Sequence, residues 1–178
     1  TSRHATEFTG FDVETSNISS FKDIMKLEEN LLTYMLKEVK AKYGDVIRDM
    51  FGLEVIVPRK PFPVIKLADL YSELEKRCGY RVPEEQKGDL TTDAEKYSFR
   101  FAMEEFGHEF LFVTDFDAKY RPFYHMRIKG VPQGYDLIWR GVEITTGAQR
   151  EHRYEILKKQ AVEKGLDADV RFYLEFFR

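Results

Sequence analysis

With 178 residues, fifteen Phe and ten Tyr, and a third of its residues charged, the chain is long enough for one domain with a substantial core. No run approaches the ~18 apolar residues of a membrane span, and the opening residues, polar and carrying an acid, do not read as a signal peptide. A net charge of −3 argues against a broad nucleic-acid footprint, and the single Cys78 excludes an internal disulfide, gives no metal cluster and fits a reducing compartment.

In chain order, alternation first marks Phe8 to Glu14 as a strand. Phe8, Gly10, Asp12 and Glu14 share one face; Thr9, Phe11 and Val13 share a greasy face that should pack on helices. Ser20-Phe21-Lys22-Asp23 reads as a capped helix start. The apolar stripe Phe21, Ile24, Met25, Leu31, Leu32, Met35, Val39 should carry that helix to about Gly44, with core packing as its purpose. Three prolines make Val57 to Pro63 an irregular loop. A short strand near Val64 and a helix from about Ala68 to Arg77 follow. Thr92-Asp93-Ala94-Glu95 reads as a capping box opening a helix that ends at Gly107. Strands are expected over Glu109 to Thr114, Phe123 to Arg127, Tyr135 to Arg140 and Val142 to Thr146. Strands in succession without intervening helices imply an antiparallel sheet, hence an α+β domain. A helix from about His152 to Lys164 closes on Gly165, and a last helical piece spans Asp167 to Phe177. No repeat or linker divides residues 1–178.

The densest chemistry lies in Gly141-Val142-Glu143-Ile144-Thr145-Thr146-Gly147-Ala148-Gln149-Arg150. A carboxylate with a nearby hydroxyl can hold Mg²⁺ through hard oxygen ligands. Gly147 lets backbone approach a ligand closely, and Arg150 offers a planar fork matched to a carboxylate. The same window also describes an exposed Glu143–Arg150 pair flanking an ordinary strand. In an ideal strand, positions 143 and 146 point to opposite faces, so a bulge or turn must precede Gly147 if both are to meet one ion. His108, His125 and His152 show no metal-ligand spacing, and no Ser-His-Asp or Cys-His arrangement stands out.

Arg3-His4, Thr6-Glu7-Phe8-Thr9-Gly10 and Asp12-Val13-Glu14 resemble the second half of motif 2 of class II aminoacyl-tRNA synthetases, closest to aspartyl enzymes of archaeal and eukaryotic type. Asp89-Leu90-Thr91-Thr92 with Glu95-Lys96, Arg121-Pro122-Phe123-Tyr124, Tyr135-Asp136-Leu137 and Arg140-Gly141 agree with it in order, through to Phe172-Tyr173-Leu174-Glu175-Phe176-Phe177. Motif 1, the motif 2 arginine with its acidic partner, motif 3 and an anticodon-binding barrel are not found. On this resemblance the chain is part of a catalytic core, with a class II-type antiparallel sheet flanked by helices.

The resemblance implies activation of aspartate with ATP and Mg²⁺ to aspartyl-adenylate, transfer to tRNA, a cytoplasmic location and a homodimer in the complete protein. It carries no acid–base catalyst, because the reaction needs charge stabilisation at phosphate and alignment of a carboxylate. By position, His4 reaches the γ-phosphate, Phe8 stacks on adenine and Asp12 binds the substrate α-ammonium. Glu143 holds Mg²⁺ with the phosphates, assisted by Thr146 where a serine is common. Gly147 lines the substrate, and Arg150 grips its side-chain carboxylate. Arg121 and Asp136 match framework positions. Arg59-Lys60 and Lys158-Lys159 read first as solvated surface residues, with a local basic rim for tRNA as the alternative. The neighbouring asparaginyl enzymes should carry an extra glycine in the turn before Arg150. Another alternative is a synthetase-like paralogue or binding module that charges no tRNA. These 178 residues alone should show weak activity or none.

Overall fold

Ser20 starts the first helix with reciprocal caps: the Lys22 amide donates to Ser20 Oγ, and the Ser20 amide donates to Asp23 Oδ2 at 3.0 Å. The structure, a computed structural model, describes residues 7–166 and 168–178. Helix α1 spans Phe21–Phe51 and runs straight through Gly44 to stop at Gly52, whose φ of 65° forms a left-handed C-cap. One interior glycine costs only about 1 kcal/mol, and surface pairs such as Lys42–Glu38 and Arg48–Asp45 continue the helix beyond it. Only its first half packs on the body. Phe21 and Met25 are buried, whereas Tyr43, Val46, Met50 and Phe51 are exposed, so core packing is not the helix's whole purpose.

Then come β1 (Val64–Lys66), α2 (Leu67–Cys78), α3 (Thr92–Phe106), β2 (Phe110–Thr114), β3 (Arg127–Ile128), β4 (Val131–Pro132), β5 (Gly134–Trp139), β6 (Val142–Ala148), α4 (Tyr154–Glu163) and α5 (Arg171–Glu175). The expected antiparallel pairings are present in β2–β5–β6. Strand β1 extends them in parallel on β2, giving a mixed sheet of order β1-β2-β5-β6. All five residues of β2 are buried because both of its faces are covered. Leu111 and Val113 join Ile138, Leu70, Leu74 and Phe101 beneath α2 and α3. Phe110 and Phe112 join Tyr135, Leu137, Phe62, Phe21 and Met25 beneath α1. A third cluster, Phe123, Leu157, Ala161 and Leu174, seats α4 and α5.

Three local expectations are corrected. Residues 8–14 form no strand, and Phe8 and Phe11 stand 84% and 76% exposed. Their alternation is real, but no described strand runs beside them, and a strand without a hydrogen-bonded neighbour has no ladder to hold it. Residues 123–124 form a turn and His125 makes only an isolated bridge, so the expected strand is reduced to the two-residue β3. Pro122 has no amide hydrogen for a ladder, and the His125 amide closes back on the Pro122 carbonyl at 3.2 Å. The cap of α3 is Thr91, not Thr92: its Oγ1 accepts from the Ala94 amide at 3.1 Å. Glu95 is buried, and its carboxylate accepts from the Glu143 amide at 3.2 Å.

Candidate functional site

The hairpin β5–β6 sets the geometry. Its two-residue turn, Arg140-Gly141, has φ of 51° and 81°, the left-handed values that match the twist of a tight hairpin. Gly141 is needed twice over, because a Cβ there would stand 3.1 Å from Lys96 Cα. Arg140 is tied down by Glu109, Nη2 to Oε1 at 2.6 Å. Along the ladder Leu137 pairs with Thr145 but Ile138 pairs with Glu143, so Ile144 is an extra residue, a β-bulge.

That bulge resolves the alternation problem at positions 143 and 146. Glu143 lies opposite Ile138 and Thr146 lies opposite Asp136, and Ile138 and Asp136 share one face of β5. Glu143, Thr146 and Asp136 therefore occupy the same face of the hairpin. On the other face Thr145 donates to Glu28 of α1, whose carboxyl is pushed up by burial. This contact ties β6 to the helix.

Asp136, 2% exposed, is held by the Arg121 fork: Nη1 to Oδ1 at 2.9 Å and Nη2 to Oδ2 at 2.5 Å. The same guanidinium lies 3.5 Å from the Phe116 ring centroid and 3.8 Å from Asp89. Thr146 Oγ1 donates to the Tyr135 carbonyl at 3.3 Å and faces Arg121 Nη1 at 3.5 Å. Arg121 and Asp136 thus form a framework beneath the residues singled out from the sequence. Next to them sits His125, buried, with an unpartnered Nδ1; burial first, then the Arg121 charge, holds its pKa down at about 4.

Arg150 follows β6. Its backbone bridges to His125, and the flanking amides complete the seam: Met126 donates to Gln149 at 2.9 Å and Glu151 donates to Tyr124 at 2.8 Å. The Arg150 guanidinium lies 5.5 Å from the Tyr124 ring centroid, and its Nη2 donates to Glu14 Oε1 at 2.5 Å. Glu14, to which the sequence assigned no role, is therefore the acid beside the arginine. Nothing local announces that pairing, since 136 positions separate the two. Phe8 and Asp12 are exposed on the segment leading to Glu14, and His4 lies outside the described residues.

The tight approach that Gly147 permits is made from the α1 side, where a Cβ would come within 2.5 Å of the Tyr135 ring. Among the described residues, no group of three or more His, Cys, Asp or Glu could form a metal site by itself. Mg²⁺ needs only one or two carboxylates when substrate phosphates supply further oxygens. Glu143 with Thr146 is that kind of donor set. A groove of about 740 Å³ between α1 and β1, floored by Phe21, Met25 and Phe62, includes none of these residues. His108 is structural: its Nδ1 accepts from the Phe110 amide and its Nε2 donates to the Arg59 carbonyl at 3.0 Å.

A sheet of this topology, with an acid, a hydroxyl and an arginine along one edge hairpin, fits a class II synthetase core. A family model described as tRNA synthetases class II (D, K and N) matches residues 1–178, and the chain belongs to that family. It is 36% identical over 183 residues to an aspartate–tRNA(Asp/Asn) ligase of Aeropyrum pernix, covering 100% of this chain and 41% of that protein. It is 38% identical over 180 residues to an aspartate–tRNA(Asp/Asn) ligase of Thermus thermophilus, covering 100% of this chain and 42% of that one. Its fold superposes on an aspartyl-tRNA synthetase from Entamoeba histolytica with a TM-score of 0.80 and 29% identity, over 91% of this chain and 34% of that one. The chain spans about two fifths of the length of the curated relatives it matches.

Proposed function

We propose that these residues form part of the catalytic core of an aspartate–tRNA ligase. The observation that carries this reading is Arg150: a guanidinium fixed at the end of β6, with a carboxylate already bound to it. An arginine fork pairs with the side-chain carboxylate of aspartate, whereas an amide forfeits the ionic half of that contact. The relatives named as aspartate–tRNA ligases match the whole chain, which supports the same substrate.

In the proposed reaction the substrate α-carboxylate attacks the α-phosphorus of ATP. An acyl–phosphate bond forms and pyrophosphate leaves; a tRNA hydroxyl then attacks the aspartyl carbonyl, an ester forms, and AMP leaves as the acyl–phosphate bond breaks. The chain's task is alignment and charge stabilisation rather than proton transfer. Arg150 orients the substrate side chain, and Gly147 lines the substrate beside it. Asp12 receives the α-ammonium, Phe8 stacks on adenine, and His4 meets the γ-phosphate. Glu143 and Thr146 would hold Mg²⁺, which when bound offsets the negative charge of the phosphate oxygens. Arg121 and Asp136 keep the β5 side of the hairpin in place. The complete protein is proposed to act as a cytoplasmic homodimer.

ATP–pyrophosphate exchange on the complete natural protein, with aspartate and asparagine in parallel, tests this reading. Exchange with aspartate should exceed that with asparagine, and Arg150→Ala should cost about 100-fold or more in kcat/KM for aspartate, as expected for a lost charged hydrogen-bond pair. Exchange with asparagine alone would move the substrate to the amide, and exchange with neither would sink the ligase reading.

A further inference from the structure

We infer that Glu14 is a positioning residue for Arg150, holding its guanidinium, together with Tyr124, in the orientation that receives a substrate carboxylate. The inference rests on the reading of Arg150 as the aspartate receptor and adds a residue to it.

Arg150 is constrained at both ends. Its backbone is bridged to His125 and flanked by the amide hydrogen bonds at Met126 and Glu151, which fix where the side chain departs. Its head meets Glu14 Oε1 through Nη2 at 2.5 Å and lies 5.5 Å from the Tyr124 ring centroid. Tyr124 is itself part of that backbone seam, so ring and guanidinium are neighbours by construction. A half-exposed arginine otherwise samples many rotamers, and ordering it at the moment of binding weakens affinity. Holding it in advance removes that cost.

The pair is poorly placed to stabilise the fold. The Arg150 and Glu14 side chains are 51% and 71% exposed, and exposed ion pairs contribute little to folding. Nor does Glu14 exhaust the arginine. A guanidinium carries five N–H donors in a fixed fork, and one carboxylate oxygen on Nη2 uses one of them. A second carboxylate can still be met by others. Glu14 thus supports the receptor without substituting for its ligand.

The test is aspartate-dependent ATP–pyrophosphate exchange in the complete natural protein, comparing wild type, Glu14→Ala, Glu14→Gln, Arg150→Ala and the Glu14→Ala/Arg150→Ala double variant. Glu14→Ala should raise the KM for aspartate about tenfold and leave the KM for ATP and the thermal midpoint unchanged. Glu14→Gln keeps an acceptor oxygen and should recover most of that loss. In the double variant the Glu14 effect should vanish, because there is no arginine left to orient. A wild-type aspartate KM in Glu14→Ala, beside a crippled Arg150→Ala, would overturn the inference while the ligase reading stands. A lower aspartate KM in Glu14→Ala would overturn it in favour of Glu14 as a competitor for the arginine. Effects that multiply in the double variant would show that Glu14 acts elsewhere. A wild-type protein without aspartate-dependent exchange removes the ligase reading, and this inference with it.

Discussion

At the scale of single residues, the buried Arg121–Asp136 pair and the buried His125 are the most consequential charges near the site. Asp136→Ala would leave the Arg121 guanidinium largely buried without its main partner, and such a loss costs about 3–5 kcal/mol. A urea titration should show the midpoint falling in proportion. His125 gives a pH signature. Its folded-state pKa of about 4 lies below the ordinary 6.5 of an unfolded chain, so the unfolded state binds the extra proton between those values. Stability from neutral His125 is complete above pH 6.5 and falls away as the pH drops towards 4, by about 3 kcal/mol in all. His125→Gln should flatten that part of the pH–stability curve, and an unchanged slope would show that the ring is not titrating as described. The site was partly legible at this scale. Glu143, Thr146 and Arg150 sit within eight positions of one another, where motif and chemistry can be read together. Glu14 and Tyr124 were not, because what makes them matter is their contact with Arg150, and neither contact follows from sequence spacing.

Among elements, the bulge in β6 carries the argument. A shared ion for Glu143 and Thr146 required an irregularity before Gly147; the ladder has one, and the extra residue, which the sequence did not indicate, is Ile144. Deleting Ile144 should restore regular alternation and turn Glu143 to the face opposite Thr146. Circular dichroism of that deletion should remain native-like while Mg²⁺- and ATP-dependent exchange is lost; retained exchange would detach Glu143 and Thr146 from a shared role. Some helix ends were legible because caps are local: Ser20 with Asp23, and Gly107, act within a turn or so of their own helix, whereas α1 passes the expected stop at Gly44 and ends at Gly52. The strand expected over Phe8 to Glu14 fails for the converse reason. Period-two patterning says which side chains share a face, whereas a strand exists only where another strand lies beside it.

For the molecule as a whole, the two buried layers either side of β2 account for the fold. The α+β class followed from the order of elements, although β1 joins the sheet in parallel and β3 pairs with β4 in a separate two-stranded sheet. The distal end of α1 is largely exposed, with Met50 70% and Phe51 66% exposed. The chain spans about two fifths of the length of the curated relatives it matches. The 178 residues expressed alone should show weak adenylate formation or none in the exchange assay, and robust exchange by the isolated chain would contradict that. Arg150 and Glu14 bear on this too, since they bring together two positions 136 residues apart. During synthesis the glutamate is made before the arginine, and at 5–20 residues per second about 7 to 27 seconds separate them. A nascent chain therefore cannot close the Glu14–Arg150 pair, and with it the proposed carboxylate receptor, until β6 has been made.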